Sequence, residues 1–453
     1  MHCERRIFCK LPPFTKKRTK ENQAMIRQFF RQAWTMMKQH KLFTGMYIAG
    51  TAISVAMAMA VFISLYVKLA PLYPEYNRNR MVDIPMIFVE SDGDRYFSMA
   101  STQLREKIKE EAKHLDEICV HEAQYNTGTI ITAVKTGIEI EETPQRTDNK
   151  FWKVFNFKFI HGIPFTQNAP LAVITSSFAK KLFATDNVCG EEIFIDTVCY
   201  KIAGVVEDQK TYMTSQHTDG NIWIPMNYNP QVKGLDNGVT GNEHIVMLAK
   251  SPEAKDSLKA EVKNIFERVV QQNSGNNKFK IIIMEHWEHA LYMYNIYLNE
   301  ENKENNFLAA IQKYLYAILA FLFIPAINLS GMISTRMSSR MDEVGVRKAY
   351  GATGRQIVSQ VLWENLLLTL VGAIIGLALS YVTICSGHRW LMTILDTRIH
   401  TAPVSGITAE MLFNPTVVTM VLLVTFVLNI ASALIPTLLA LRNNIIESLY
   451  QRR

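Results

Sequence analysis

From Phe43 to Val67 the chain runs for twenty-five residues, FTGMYIAGTAISVAMAMAVFISLYV, without a formal charge. As a helix at about 1.5 Å per residue this reaches roughly 37 Å, enough to cross a bilayer. Three further apolar runs follow: Tyr314 to Ile333, Ile357 to Ile384 with only Glu364 charged, and Val417 to Leu441. Four spans are expected. A secretory signal peptide is the alternative for the first run, but it is long for such a core and lacks a small-x-small cleavage site before Lys68. The mean hydropathy of +0.03 over 453 residues is too low for a chain lying mostly in lipid, so a sizeable water-exposed domain must accompany the spans. Aromatic residues at 10% and only six cysteines exclude disordered, collagen-like and disulfide-dense classes.

Lys and Arg in the short flanks set the orientation. Before Phe43 there are eleven basic residues against Glu4 and Glu21; Arg336, Arg340, Arg347, Lys348 and Arg355 follow the second span, and Arg442, Arg452 and Arg453 follow the fourth. These segments are expected to be cytoplasmic. Residues 69–306 then face outward, with 25 basic and 33 acidic side chains, while the rest of the chain nets +15. The +7 total therefore reflects inside-facing flanks near anionic lipid, and nucleic acid is not an expected partner. The expected fold class is membrane α-helical, four transmembrane helices with an α+β extracytoplasmic domain inserted between helices 1 and 2. Its expected organisation is a cytoplasmic segment 1–42, spans at 43–67, 314–333, 357–384 and 417–441, an extracytoplasmic domain and stalk over 69–306, a cytoplasmic loop 334–356, an outer loop 385–416 and a cytoplasmic tail 442–453. Met25, which opens the amphipathic stretch MIRQFFRQAWTMMKQHK, is a second candidate start; residues 1–24, with Cys3 and Cys9, would then not be translated.

Within 69–306, helical patterns are read at Ser101 to Ile118 and at Pro252 to Gln271, where Leu258, Val262, Ile265, Phe266 and Val269 recur at three-to-four spacing. Strand-like runs are read at Thr129–Val134, Leu171–Thr175, Ile193–Val206, Asn221–Ile224, His244–Ala249 and Lys278–Met284. Cys189 and Cys199 flank EEIFIDTV, a hairpin pattern; a disulfide between them and two free thiols are both open. Glu285 to Asn306 reads as a polar, helical stalk.

Sites for an enzyme are sparse. No G-x-x-x-x-G-K-[ST] loop occurs, and Gly351-Ala352-Thr353-Gly354-Arg355 lacks its length and its lysine; H-E-x-x-H, C-x-x-C and G-x-S-x-G are also missing. His286 and His289 in EHWEHA, with Glu285 and Glu288, have a spacing that could put two ligands on one helical face, but a solvated stalk face is the preferred reading. Glu207 and Asp208 read as turn residues. No catalytic, cofactor or metal site is assigned.

Small residues repeat at four in the first span (Ala52, Ala56, Ala60) and in the third (Gly372, Gly376), a pattern that permits close helix packing. Glu364 and Asn365, about two turns into the third run, read as helix-contact residues near the inner interface, and Pro325 and Pro436 as bends. Glu343, Arg347, Lys348 and Arg355 with Gly345, Gly351 and Gly354 read as a short basic helix with turns at its ends, in which Glu343 and Arg347 are spaced to pair.

Asn328 to Ser380 contains the core EVGVRKAYGAT, from Glu343 to Thr353, which resembles the signature of the FtsX-like/MacB permease family of ABC transporters. Phe151 to Phe165 and Val173 to Asp208 are similar to that family's periplasmic core domain, and PTLLALRNNIIESLY resembles its ending. Ala184-Thr185 departs from the glycine many members carry after the phenylalanine. The resemblance implies that Glu343, Gly345, Arg347, Lys348, Gly351 and Arg355 form a coupling helix that docks on a separate ABC ATPase subunit, with the chain itself no enzyme. It further implies an inner-membrane permease, working as a homo- or heterodimer with a periplasmic adaptor or outer-membrane partner, whose work is export or the activation of a hydrolase. A membrane-tethered sensor or scaffold without transport activity is the competing expectation.

Overall fold

The computed structural model describes residues 38, 41–91, 93–122, 128–165, 169–209, 217–218, 220–226, 238–273, 277–291, 307–339, 341–395 and 415–442. They fall into two compact units, one helical and one α+β, the second lying between Leu65 and Gln312. The candidate start at Met25 lies outside the described residues.

The helical unit is built from helices Lys41–Leu69 (α1), Phe307–Ser339, Met341–Ala349, Gly354–Leu395 and Pro415–Arg442. Among the described residues, three stretches are long and apolar enough to cross a membrane: Lys41–Ile63, Gly354–Thr383 and Val418–Leu439. Phe307–Ser339 carries a shorter apolar run, Tyr314–Phe323. Tyr47, Ile333, Leu368 and Ala433 form a buried cluster from four of these helices.

The α+β unit is organised on one sheet, whose strand order begins β12-β2-β1-β13-β3-β6-β11-β8-β10. Here β1 is Met81–Ser91, β2 Asp94–Ala100, β3 Leu115–Glu122, β4 Thr129–Ala133, β5 Glu139–Glu142, β6 Gln145–Thr147, β7 Phe159–Gly162, β8 Leu171–Thr175, β9 Glu192–Ile195, β10 Val198–Val206, β11 Ile222–Pro225, β12 Thr240–Gly241, β13 Glu243–Ala249 and β14, which pairs with β1, Lys278–Glu285. Strand alternation divides the core. Val82, Ile84, Val120, Ile245 and Met247 pack with Leu258, Val262 and Phe266 of helix Lys255–Asn273. On the other face Met81, Cys119, Val246 and Leu248 meet an aromatic group of Phe151, Phe155, Phe165 and Trp223.

The strand and helix readings at 129–134, 171–175, 193–206, 221–224, 244–249, 278–284 and 252–271 are matched by elements of the same type within a few residues. The helix read over 101–118 is not. It stops at Glu111, and Leu115–Glu122 is a strand paired with β13 through most of its length. Leu104, Ile108, Leu115 and Ile118 fit a helical stripe, but Ile118, Cys119, Val120 and His121 must alternate to serve both faces of the sheet, and the pairing decides. The 192–206 hairpin forms, and Cys189 and Cys199 are free thiols. Residues 286–291 are helical as read, but the solvated face is not there: His286 and His289 are buried. Residues 292–306 lie outside the described residues.

Candidate functional site

The signature residues Glu343 to Thr353 occupy a short helix and its turn. Gly345, Arg347 and Lys348 lie in helix Met341–Ala349, as does the backbone of Glu343, whose side chain is outside the described residues. The helix ends where Gly351 takes a φ of +89°, with Gly351 N donating to Lys348 O at 2.9 Å and Ala352 N to Arg347 O at 3.0 Å. This paired closure needs a left-handed residue after the cap, which glycine adopts without strain. Two residues later the next helix begins with one half of a capping box, Thr353 N donating to Gln356 Oε1 at 2.8 Å. The chain therefore turns between two firmly terminated helices.

One side of this turn is fixed. Val344 and Ile357 are buried together, and Arg347 donates to Gln360 Oε1, whose amide donates to the buried Glu364 Oε1 at 3.1 Å. The other side is open: Val346 in the helix is 57% exposed and Tyr350, just past its end, 90% exposed, and Arg355 is exposed nearby in sequence.

Above this turn in the third apolar run, a Cβ added to Gly376 would lie 2.7 Å from Ala52 O and 2.8 Å from Val55 Cβ, and one added to Gly372 would lie 2.8 Å from Thr51 Cβ. Ala52, Ala56 and Ala60 are buried. Asn365 bonds to its own helix at Val361 O, and Tyr47 Oη, Thr369 Oγ1 and Asn429 Nδ2 form a buried polar contact across three helices.

In the α+β unit, Asp208 accepts from Ser177 N at 2.8 Å and Glu207 pairs with Lys158, so both serve local structure. The sequence reading missed a buried polar cluster of this unit. Asp83 of β1 points to the face carrying Trp223, where His244 of β13 and His121 of β3 are cross-strand neighbours. Asp83 Oδ2 lies 2.6 Å from His289 Nδ1 and 3.4 Å from the Nε2 atoms of both His217 and His244. His121 Nε2 lies 2.9 Å from His217 Nδ1. Burial opposes the charge on Asp83, yet the surrounding imidazoles outweigh it and hold the carboxyl well below its usual pKa. Burial pushes His244 down to about 4 and His286 to about 3, the latter also opposed by the Arg78 charge. A lone charged residue in the otherwise apolar run MVDIPMIFV was the available signal.

These two units define a class: a protein with helices long and apolar enough to cross a membrane and a folded α+β domain. Residues 44–265 match the model of the MacB-like periplasmic core domain and residues 315–445 that of the FtsX-like permease C-terminal region. Between them the two models take in most of the chain, and it belongs to the FtsX/MacB-type permeases of ABC transporters. Neither matched model is an ATPase domain. Among relatives, the macrolide export ATP-binding/permease protein MacB of Burkholderia cenocepacia is 25% identical over 252 residues, 54% of this chain and 34% of that protein. The uncharacterized ABC transporter permease YknZ of Bacillus subtilis is 22% identical over 54% of this chain and 57% of its own. The chain thus spans about a third of that MacB relative. The crystal structure of the periplasmic region of MacB from Actinobacillus actinomycetemcomitans aligns with half of this chain and 94% of its own, at 16% identity and a TM-score of 0.33.

Proposed function

We propose that the chain is a permease subunit that converts ATP hydrolysis by a separate nucleotide-binding subunit into conformational work on the outer side of the membrane. The observation that carries this is the two-sided turn at 341–356. Its inner side is bonded to the following helix through Arg347, Gln360 and Glu364, while Val346, Tyr350 and Arg355 stand exposed. Exposed apolar side chains and a cation within one short segment that is bonded to a long apolar helix are suited to receive a push from a docked ATPase and pass it on.

In this reading helix Phe307–Ser339 is a fourth span, the turn at 341–356 and both termini are cytoplasmic, and residues 69–306 form the periplasmic core and its stalk. Movement of the third span passes to α1 at Gly372 and Gly376, and α1 continues covalently into the α+β domain. Glu343, Gly345, Arg347, Lys348, Gly351 and Arg355 form the coupling segment. The permease works as a dimer with two ATPases, and the work is export toward an adaptor or outer-membrane partner, or activation of a hydrolase. Pull-down from solubilised membranes tests it: co-purification of an ABC ATPase is expected, and its loss on Tyr350→Asp with membrane insertion intact. An ATPase bound equally well by the variant contradicts docking at this turn.

A further inference from the structure

Asp83, His217, His244 and His289 bring one carboxylate oxygen and three imidazole nitrogens within 4.8 Å of one another, and all four residues are buried. They come from four separate places: β1, the turn at 217–218, β13 and the helix at 286–291. Each place is anchored by its own contacts. The His217 carbonyl accepts from Gln145 Nε2 at 2.6 Å, and Thr218 Oγ1 donates to Glu75 at 2.5 Å. His286 Nε2 lies 2.9 Å from Lys68 O, three residues before His289.

A hydrogen-bonded core explains this group poorly. One carboxylate oxygen faces three imidazoles, and the buried Nε2 of His289 has no hydrogen-bond partner. Burying an aspartate with a ring of histidines costs several kcal/mol unless strong interactions compensate. Two of the oxygen-to-nitrogen separations, 3.4 Å, equal the edge of a tetrahedron with metal-to-ligand bonds of about 2.0–2.2 Å, while the third, 2.6 Å to His289 Nδ1, is a hydrogen-bond length that must open when an ion enters. His121 stands behind His217, bonded to its far nitrogen, the position from which a second residue orients a metal-binding imidazole.

We infer that Asp83, His217, His244 and His289 hold one divalent transition-metal ion of the zinc class. Three imidazoles and one carboxylate suit zinc and its neighbours, whereas magnesium and calcium take oxygen ligands. Four buried protein ligands leave no open position, so the ion is structural. It fastens the segment just after α1, through Asp83 at the start of the sheet, to the helix 286–291 by which the chain leaves it. The ion sets the stiffness of the domain's base.

The test uses the full-length chain without a polyhistidine tag, in detergent, stripped by chelator and titrated with Zn²⁺ or Co²⁺. Expected are one bound zinc per chain by elemental analysis, a four-coordinate cobalt absorption spectrum, and a thermal midpoint raised by zinc. His217→Ala and His289→Ala should lose the ion; His121→Ala should weaken binding by about 10–100-fold. His289→Cys with cobalt should add a thiolate-to-metal charge-transfer band, which only a ligand at that position produces. If the alanine variants fail to fold, the wild-type cobalt spectrum and the cysteine band still decide. A natively folded wild type that takes up no stoichiometric zinc and gives no cobalt spectrum overturns the inference, leaving a hydrogen-bonded core.

Discussion

In the helical unit the buried polar side chains are mostly hydroxyls and amides that bond back to their own helix. Ser54 donates to Gly50 O, Thr369 to Asn365 O, Thr425 to Val421 O and Thr437 to Ala433 O, all four residues back. In the α+β unit they include charged groups, several of which join distant segments: Glu75, paired locally with Arg78, also accepts from Thr218, Asp83 meets three histidines, and Glu285 pairs with Lys255 and Lys259. Apart from the contact of Tyr47, Thr369 and Asn429, a shift of these helices against one another separates few buried polar partners. A domain tied by buried charges resists local opening, because separating one pair strands its partner in a low-dielectric interior. The contrast suits a lever in lipid that moves a rigid head.

Breaking the rigid side should cost most. Arg78→Met would strand Glu75 and remove the 2.7 Å bond to Ala70 O; a loss of about 3–5 kcal/mol is expected, read as protease sensitivity of the α+β unit in the full-length protein. On the helical side, Gly376→Leu would drive a side chain into Ala52 and Val55 and should cost about 1–3 kcal/mol of folding stability in detergent. Gly331→Ala, where a Cβ meets nothing within 4 Å, should cost none of it.

Acid sharpens the comparison. The folded pKa of His286, about 3, lies below its unfolded value of 6.5, so the unfolded chain binds the proton first. Stability from this residue is complete above pH 6.5 and falls as pH drops toward 3, at up to about 1.4 kcal/mol per pH unit. Melts of the full chain between pH 7 and pH 4 should fall, and His286→Gln should flatten the fall. The smallest effect is a gain. Ala184 caps helix Ser176–Phe183 in the left-handed region at φ +58°, where its Cβ is strained. Ala184→Gly should stabilise by about 1 kcal/mol, measured by the same melt.

That last position shows how far the sequence could be read. The missing glycine after Phe183 was visible as a departure from the family pattern, but only the left-handed cap gives it a cost. The apolar runs were legible because lipid demands unbroken hydrophobicity, and the coupling turn because Gly351 and Thr353 carry local rules. The Asp83 cluster was not, because its members are separated by up to 206 residues and meet only through strand pairing. For the same reason EHWEHA read as a solvated stalk: nothing local tells that Asp83 and Lys68 cover its two histidines.

The most direct test of a fuel-less lever is ATPase activity in a reconstituted complex of this chain with its nucleotide-binding partner, comparing wild type with Glu343→Lys and Arg347→Glu. Hydrolysis that persists while work on the outer side is lost, with the complex still assembled, is the expected result. Unchanged output from both variants would contradict coupling through this turn.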